Sequence, residues 1–579
     1  MVELSVALHY VFDTPRDKLV WDVGHQSYIH KILTERASKF PNIRQLGGIS
    51  GFPSRRESRY DPFGAGHAGT SISAALGLLE AEHLKESPNR VVAIIGDGAL
   101  TSGMAFEALN HAGQLKRHLA LVLNDNEMSI APNVGALSRA FSQTLTNKFS
   151  THARRYFRNL VEKGIVPKTF YRILDKAEDA TQGFFSTPAM LFESFDFRYI
   201  GPIDGHNIDG LIYSLERLKE QDGPTVLHVQ TQKGRGYAPA EEDPVSYHGI
   251  PPLIKKKDDS AKTYTQVFSS TILELARADE RILAITAAMP DGTGLKELSE
   301  ELPEQFYDVG IAEEHAVTFA AGLACEGFRP FCAIYSTFLQ RAYDQILHDV
   351  CLQSLPVVFA IDRAGLVGED GPTHQGLYDI GYLRTMPNMA LCSPKDELEL
   401  RDLLHTAASY EAGPFAIRYP RGRGRGLELG LRAPQTLDIG SAELLYEARR
   451  GAGTSVLVIA LGRTVWSSLE AIRSLEKEEI YSSLINARFV KPLDRELLRS
   501  EIAKAELVVT VEDAALQGGF GSCILEFAAD EGLLTGRRFS RIGVGDFFVE
   551  HGKIEQQSAI CGIDSTGIAM RIRHFFRAP

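Results

Sequence analysis

Two polar clusters in this sequence have the residue types and the spacing of a metal-phosphate site. They are Gly96-Asp97-Gly98 and the run Asn124–Met128, and each directly follows a short apolar run. If both runs are parallel strands of an α/β sheet, their carboxyl ends lie at one edge, and we expect Asp97 to face Asn126. A carboxylate, an amide oxygen and the backbone carbonyl of Met128 are hard oxygen donors, which Mg²⁺ takes alongside phosphate and water. The pattern therefore predicts magnesium bound to a diphosphate.

The residues around these clusters predict a strand-helix-strand unit. Residues 91–95 and 119–123 are aliphatic and β-branched, as in buried parallel strands. Residues 104–109 between them carry apolar side chains at helical spacing, so the unit is a βαβ crossover. Gly96 and Gly98 would let the backbone approach phosphate without an intervening Cβ. An ordinary turn is the alternative for Gly-Asp-Gly alone, and the asparagine cluster favours the metal site.

The bulk composition indicates a protein of several domains that binds neither nucleic acid nor membrane. The chain has 579 residues, 44% of them hydrophobic and 23% charged, and this length predicts several domains. The net charge of -12 argues against a nucleic-acid partner. No apolar run is long enough for a bilayer, and the N-terminus lacks the basic start and apolar core of a signal peptide. We therefore expect a cytoplasmic location.

The motifs of the chain resemble those of thiamine diphosphate enzymes of the transketolase superfamily. A Gly-Asp-Gly turn followed, after a helix and a strand, by asparagine is the cofactor motif of that superfamily. Within it, the chain most resembles the 1-deoxy-D-xylulose-5-phosphate synthase family, and the resemblance runs from Val2 to the C-terminus. It is carried by the ordered motifs Trp21–Gln26, Gly64–His67, Leu123–Ile130, Ala312–Thr318 and Tyr335–Gln345.

The resemblance implies an α/β fold class with three domains. Two tandem thiamine diphosphate-binding-type domains with mainly parallel sheets would span residues 1–257 and 258–437. The first would bind the diphosphate and magnesium and the second the aminopyrimidine, with the cofactor clamped between them. A transketolase-like α/β domain would span residues 438–579; it shows no cluster of chemical groups, so we expect a role in stability or dimerisation. Residues 131–195 are interpreted as a helical excursion over the site, and 251–262 as a linker.

The resemblance also assigns cofactor contacts. Glu313 would bond the pyrimidine ring and shift its tautomer, so that the cofactor's own amino group can remove a carbon proton. Helix-dipole stabilisation is the alternative for Glu313, and it would explain Glu314 equally well. Phe338 would stack on the pyrimidine, although alone it fits a core residue. The full set of implied cofactor residues is His25, Gly66, His67, Ala68, Gly98, Ala99, Asn126, Tyr237, Glu313 and Phe338.

The implied reaction joins pyruvate to D-glyceraldehyde 3-phosphate with loss of carbon dioxide, giving 1-deoxy-D-xylulose 5-phosphate. The phosphate of the acceptor predicts arginines and a phenol around it, and we expect these side chains just after strands of the second domain. The implied substrate-binding residues are Tyr335, Arg341, Arg363, Asp370, His374 and Arg421. The implied catalytic residues are Glu313, His25, His248, His374, Arg341 and Asp370. Which histidine transfers which proton stays open.

Two alternatives remain at this point. A transketolase or a 2-oxo acid dehydrogenase would share the domains, but residues 335–345 and 362–365 resemble the synthase more closely. The family pattern also places a Ser-Gly-His segment ahead of Val2, and the printed sequence does not contain it. A chain that binds the cofactor without turnover is therefore the second alternative. The resemblance further implies a homodimer at the head of the non-mevalonate isoprenoid route, also feeding thiamine and pyridoxal phosphate synthesis.

Overall fold

A computed structural model describes residues 1–126, 128, 134–136, 187–244, 247–249, 261–448 and 455–577. The chain divides into two compact units. The first comprises Met1–Ile43, Ile49–Pro251 and Gly310–Ala312, and the second comprises Arg44–Gly48, Pro252–Val309 and Glu313–Pro579. Most of the predicted excursion at 131–195 and of the predicted linker at 251–262 lies outside the described residues.

The first unit contains a five-stranded, fully parallel sheet with the order β1-β2-β3-β5-β4. Its inner strands are aliphatic and buried along their length, because both faces of a parallel sheet are covered by helices. This sheet contains the predicted βαβ unit. The strands are β1 (Lys18–Trp21), β2 (Val91–Gly96), β3 (Ala120–Asp125), β4 (Arg198–Asp204) and β5 (Thr225–Gln230).

Helices pack on both faces of this sheet. The helix Ser71–Leu84 places Ile72, Ala75 and Leu79 in the core on one face, and the helix Val2–Val11 places Leu4, Ala7 and Leu8 in the core on the other. Within the described residues, the helices of the unit are Val2–Val11, Tyr28–Lys31, Ser71–Leu84, Asp97–Leu100, Gly103–Leu115, Thr187–Ser194, Ile208–Glu220 and Ala238–Glu242, with irregular turns at Ile32–Arg36 and Ala37–Asn42.

The second unit contains two further sheets, of seven and five strands. Most of their pairings are parallel. The first six strands in chain order are β6 (Ile282–Thr286), β7 (Phe306–Asp308), β8 (Arg329–Tyr335), β9 (Val358–Ala364), β10 (Ala390–Cys392) and β11 (Phe415–Pro420). The others are β12 (Glu443–Tyr446), β13 (Val456–Ala460), β14 (Ser482–Asn486), β15 (Phe489–Lys491), β16 (Leu507–Ala515) and β17 (Arg538–Val544).

One strand crosses from the C-terminal part of the chain into the preceding sheet. β15 pairs antiparallel with β10, so the seven-stranded order is β15-β10-β11-β9-β8-β6-β7, while β12-β14-β13-β16-β17 form the last sheet. The sequence did not predict this exchange. It explains why both sheets belong to one compact unit, with Phe489 in the core beside Phe415. The boundaries at 257 and 437 stay predictions.

The helices of the second unit cover its two sheets. Tyr264–Ala278 begins at a capping box, in which Thr263 accepts a hydrogen bond from the backbone of Gln266. The helices are Tyr264–Ala278, Lys296–Glu301, Glu313–Cys325, Ser336–Leu339, Tyr343–Gln345, Asp379–Leu383, Glu397–Ser409, Thr464–Glu476, Arg495–Lys504, Phe520–Asp530, Ile554–Cys561 and Ser565–Arg577. Irregular turns lie at Pro303–Gln305, Gln340–Ala342, Ile346–Cys351, Gly371–Thr373 and Leu429–Leu431.

The predicted fold class, α/β with mainly parallel sheets, is confirmed. Within the described part of the chain, no helix is long and apolar enough to cross a membrane.

Candidate active site

The carboxyl ends of β2 and β3 bring Asp97 and Asn126 together. The two strands pair in parallel, with Gly96 opposite Asn124, and Asp97 begins a short helix directly after β2. The backbone N–H groups of Gly98 and Asn126 both donate hydrogen bonds to the Asp97 carboxylate. The polar ends of two neighbouring strands thus meet at one point of the sheet edge.

A second carboxylate lies beside Asp97. Burial, and next the neighbouring Asp125 carboxylate, raise the pKa of Asp97 well above its ordinary value. Two buried carboxylates repel each other unless a proton or a cation lies between them. A divalent cation at this point would neutralise both.

The available donor atoms fit magnesium. Asp97 offers a carboxylate and Asn126 an amide oxygen, and the Asn126 side chain is held by a hydrogen bond of 3.0 Å from the Met128 backbone N–H to its Oδ1. Magnesium prefers such oxygen donors and keeps positions for phosphate and water. The described residues contain no group of three or more His, Cys, Asp or Glu side chains able to cage a metal alone. This observation agrees with a site in which diphosphate and water supply the remaining metal ligands.

The short helix after β2 holds the predicted cofactor residues Gly98 and Ala99, which are both buried. Thr101 donates from Oγ1 to the Gly98 carbonyl at 2.7 Å, and Ser102 donates from Oγ to the Ala99 carbonyl at 2.9 Å. A Cβ added at Gly96 would meet nothing within 4 Å. The space beside the turn is therefore open, as a phosphate would require.

Asp22 ties the glycine-rich turn at Gly66–Ala68 to the end of β1. Its carboxylate accepts hydrogen bonds from the backbone N–H groups of Gly69 at 2.8 Å and Ser71 at 3.0 Å, which caps the helix that follows. Gly69 has a φ of +82°, and a Cβ there would collide with the Ser102 side chain. Only glycine satisfies both conditions. The predicted contacts Gly66, His67 and Ala68 all lie in this anchored turn.

The predicted histidines His25 and His248 stack on each other, with ring centroids 4.4 Å apart and an interplanar angle of 18°. Lys233 Nζ lies 3.0 Å from His248 Nδ1. Burial lowers the pKa of Lys233 to about 8, while the Asp97 carboxylate raises it in part. The lysine was not among the predicted site residues, although it lies in the same segment as the predicted Tyr237. Tyr237 is exposed and packs edge-on against Tyr247 at 5.7 Å.

Glu313 is a buried carboxyl in the second unit, at the first position of the helix Glu313–Cys325. Its Oε2 has no hydrogen-bond partner among the described residues, and its ion-pair partner is Arg341, whose guanidinium nitrogen lies 3.7 Å away. Burial raises the pKa of Glu313, and Arg341 opposes that effect. Such a carboxyl can share a proton with a ring nitrogen. Glu314, by contrast, is only partly buried.

Aromatic rings line the end of β8. Tyr335 and Phe338 stack with centroids 5.7 Å apart, and Phe338 meets His374 edge-on at 5.5 Å. Burial raises the pKa of Tyr335, so its hydroxyl stays protonated. The Arg363 guanidinium lies 4.1 Å from the Tyr335 ring centroid. The Arg363 guanidinium and the Tyr335 phenol thus lie next to the flat ring of Phe338.

Arg363 is held rigidly at this surface. One of its terminal nitrogens donates to Thr265 Oγ1 at 3.0 Å, to the Gly292 carbonyl at 2.8 Å and to Asp362 Oδ2 at 2.6 Å. Asp362 is fully buried. Its carboxylate also accepts the Arg363 backbone N–H at 2.6 Å, so the arginine is fixed at both ends.

Asp370 is the centre of a second charged group in this unit. Arg421 lies 3.3 Å from one Asp370 oxygen, and Arg44 forms a very short ion pair with the other. Although burial acts in the opposite direction, His374, Arg44 and Arg421 lower the pKa of Asp370 below its ordinary value. Arg421 also contacts Glu369 at 3.3 Å. The sequence analysis missed Arg44, because an isolated arginine so far from Asp370 in the chain carries no local signal.

The predicted placement of the substrate side chains just after strands is wrong for three of the four. Tyr335 is the last residue of β8, and Arg363 lies inside β9. Arg341 lies in the irregular turn Gln340–Ala342, beyond a short helix. Only Arg421 directly follows a strand, β11. For Arg363 the reason is that β9 extends to Ala364 despite a positive φ of 56° at Arg363, which an apolar run does not reveal.

Comparison with known protein families matches the chain in three parts. Residues 1–231 match the family described as 1-deoxy-D-xylulose-5-phosphate synthase. Residues 260–425 match the transketolase pyrimidine binding domain, and residues 446–568 match the transketolase C-terminal domain.

Curated relatives match over nearly the whole chain. The chain is 53% identical to 1-deoxy-D-xylulose-5-phosphate synthase 1 of Geobacter sulfurreducens, over 100% of this chain and 90% of that protein. It is 52% identical to the 1-deoxy-D-xylulose-5-phosphate synthase of Thermomicrobium roseum, over 99% of this chain and 90% of that protein. Among solved structures, a transketolase from Leishmania mexicana is 18% identical, with a TM-score of 0.46, over 98% of this chain and 90% of that one.

Proposed function

This chain belongs to the 1-deoxy-D-xylulose-5-phosphate synthase family, and we propose that the side chains at its two polar sheet edges carry the reaction. The enzyme is a transketolase-type transferase. It joins a two-carbon unit of pyruvate to D-glyceraldehyde 3-phosphate, forming 1-deoxy-D-xylulose 5-phosphate and carbon dioxide. The observation that carries this conclusion is the 53% identity to a synthase over the whole chain.

The cofactor is thiamine diphosphate with a divalent metal such as Mg²⁺. When bound, thiamine diphosphate supplies a carbon nucleophile for the keto group and an electron sink for the charge that decarboxylation leaves. We assign the metal to Asp97, Asn126 and Met128, whose oxygen donors suit it. We assign further cofactor contacts to His25, Gly66, His67, Ala68, Gly98, Ala99, Tyr237, Glu313 and Phe338.

Glu313 is assigned to hold a proton at the pyrimidine ring nitrogen. Its Oε2 lacks a hydrogen-bond partner among the described residues, and burial raises its pKa. Both properties favour a Glu313 carboxyl group that shares a proton with the neutral ring nitrogen rather than one that is fully ionised. Arg341, at 3.7 Å from Oε2, orients the carboxyl.

Proton movement at the reacting carbonyl groups is assigned to His25, His248, His374 and Asp370. The stacked pair His25 and His248 lies in the first unit. Thr373 Oγ1 lies 2.8 Å from Nδ1 of His374, a contact that fixes the orientation of the imidazole ring. The lowered pKa of Asp370 keeps it ionised, so it accepts a hydrogen bond from an acceptor hydroxyl.

The phosphate of the acceptor is assigned to Arg363 and Arg421, with the Tyr335 hydroxyl as a further donor. Arg363 is fixed in place by Asp362, so it loses little conformational freedom when phosphate binds. Arg421 is one-third exposed and can exchange its contact with Glu369 for the phosphate.

The test is to incubate this chain with pyruvate, D-glyceraldehyde 3-phosphate, thiamine diphosphate and Mg²⁺. Carbon dioxide release together with 1-deoxy-D-xylulose 5-phosphate formation is the expected result. If neither product forms while thiamine diphosphate and Mg²⁺ still raise the melting temperature, the chain binds its cofactor without turnover. A second incubation contains xylulose 5-phosphate as donor and ribose 5-phosphate as acceptor in place of the first two substrates. If sedoheptulose 7-phosphate forms there while the first incubation gives no product, the chain is a transketolase.

Cellular context follows from the family. The product supplies the non-mevalonate isoprenoid route and the synthesis of thiamine and pyridoxal phosphate. We propose a cytoplasmic homodimer, in keeping with a family that is typically dimeric. We also propose the domain limits 1–257, 258–437 and 438–579.

A further inference from the structure

Three polar side chains extend inward from the proposed metal site across three neighbouring strands. Asp125 is on β3, His228 on β5 and Tyr199 on β4, and β5 pairs in parallel with both of the others. Leu123 lies opposite His228 and Tyr199 lies opposite Val226. Because side chains alternate along a strand, all three polar residues point to the same face of the sheet.

These side chains form one continuous hydrogen-bonded chain, which we call the Asp125 relay. His228 Nε2 lies 2.9 Å from Asp125 Oδ2, and His228 Nδ1 lies 2.7 Å from the Tyr199 hydroxyl. Asp125 is 3% exposed and His228 is 2% exposed. A neutral imidazole with its proton on Nε2 satisfies both contacts, because it then donates to the carboxylate and accepts from the phenol.

The surroundings of the relay make it costly as a purely structural feature. The same face carries Leu121, Leu123 and Val226 in an aliphatic core. Taking a carboxylate and an imidazole out of water costs free energy that aliphatic side chains of similar size would avoid. Tyr199 is itself held by Phe192, whose ring stacks on it at 6.2 Å. The arrangement therefore fixes the position of the Asp125 carboxyl group at the end of β3.

That position is beside the proposed metal ligands. Asp125 directly precedes Asn126, and its carboxylate contacts the buried Asp97 carboxylate. A second buried carboxylate is unfavourable next to Asp97 alone but favourable once a divalent cation is bound. Hydrogen bonds that fix such groups behind metal ligands commonly set metal affinity.

We propose that His228 and Tyr199 hold the Asp125 carboxyl group in one position beside the magnesium ligands, and that these three positioning residues set the affinity for the divalent cation. The proposal rests on the assignment of Asp97 and Asn126 as ligands. Asp125 acts through its contact with the Asp97 side chain and through the backbone it shares with Asn126. His228 and Tyr199 act only through Asp125.

The test is a titration of Mn²⁺ into the intact chain with saturating thiamine diphosphate, following free Mn²⁺ by electron paramagnetic resonance. We expect H228A to weaken Mn²⁺ binding by about 10- to 100-fold. Y199F keeps the packed ring and removes one hydrogen bond, so we expect about a fivefold loss. H228Q retains an N–H donor and should recover part of the affinity lost in H228A.

The matched control is H118A. His118 lies just ahead of the amino end of β3, so its removal should leave the Mn²⁺ affinity unchanged. Melting curves in EDTA show whether each variant is folded without metal. If H228A fails to fold, Y199F and H228Q provide the measurement.

The outcomes separate the relay from the metal site itself. Weaker Mn²⁺ binding by the variants, with melting in EDTA like that of the wild type, supports the relay. Equal Mn²⁺ affinity of the wild type, Y199F and H228Q overturns the relay while leaving the metal site intact. No Mn²⁺ binding by the wild type overturns both the metal-site assignment and the relay.

Discussion

The assignment of Arg421 to the acceptor phosphate predicts a defect that depends on that phosphate. In R421M the chain keeps a side chain of similar length and loses the guanidinium. Arg421 donates to the Val367 carbonyl at 2.7 Å and lies 3.3 Å from carboxylate oxygens of Glu369 and Asp370. These contacts hold the guanidinium in place and also compete with an incoming phosphate.

The magnitude follows from these contacts. A hydrogen bond to a charged group contributes about 1.5–3 kcal/mol. Arg421 is 34% exposed, and two carboxylates already share its charge, so the lower part of that range applies. We expect kcat/KM for D-glyceraldehyde 3-phosphate to fall about 10- to 30-fold, which corresponds to about 1.4–2 kcal/mol.

The assay compares two acceptors in initial-rate measurements of carbon dioxide release. Wild type and R421M are each measured with D-glyceraldehyde 3-phosphate and with unphosphorylated D-glyceraldehyde, at saturating pyruvate. The loss should be confined to the phosphorylated acceptor, and KM for pyruvate should change little. An equal loss with both acceptors would refute the reasoning, because Arg421 would then act on the shared carbonyl end or on the fold.

The matched control for this experiment is R423M. Arg423 lies two residues further on, and its guanidinium donates to the Ala261 carbonyl. It contacts none of the carboxylates that surround Arg421 in the described structure. We expect R423M to leave both acceptors unaffected, so a general loss of arginine charge near β11 can be separated from the loss of one phosphate contact.

Three further predictions concern single side chains. E313Q should lower kcat by about 100- to 10,000-fold while thiamine diphosphate binding, followed by tryptophan fluorescence, persists; full activity would exclude the proton role. G69A should destabilise the fold, because φ is +82° and a Cβ meets Ser102, and a melting temperature equal to wild type would contradict this. Burial raises the pKa of Glu512 from 4.5 to about 7, so the unfolding free energy of the wild type, compared with that of E512Q, is highest below pH 4.5. This difference falls by about 3 kcal/mol as the pH rises through 7. Urea unfolding midpoints of the two proteins that differ by a constant amount from pH 4.5 to 8 would contradict the prediction.

The sequence alone determined the local elements and the meeting of two strand ends. The apolar run 91–95 and the run 119–123 predict buried strands, and β2 and β3 occupy those positions. The same pattern predicts that Asp97 and Asn126 share one edge of the sheet, since parallel strands align their carboxyl ends. The family resemblance could also be read from the sequence alone, because each of its motifs is a continuous stretch of chain.

Only the tertiary structure decided the contacts between distant segments. Arg44 forms an ion pair with Asp370, and β15 pairs with β10 rather than with the C-terminal strands that flank it in the chain. Glu313 is buried while Glu314 is partly exposed, a difference that two adjacent glutamates at a helix start do not reveal. Periodicity records which face of an element is buried, but not which residue it meets there. The partner of a charged side chain is set by long-range packing, and so the electrostatics of this site could be determined only from the folded chain.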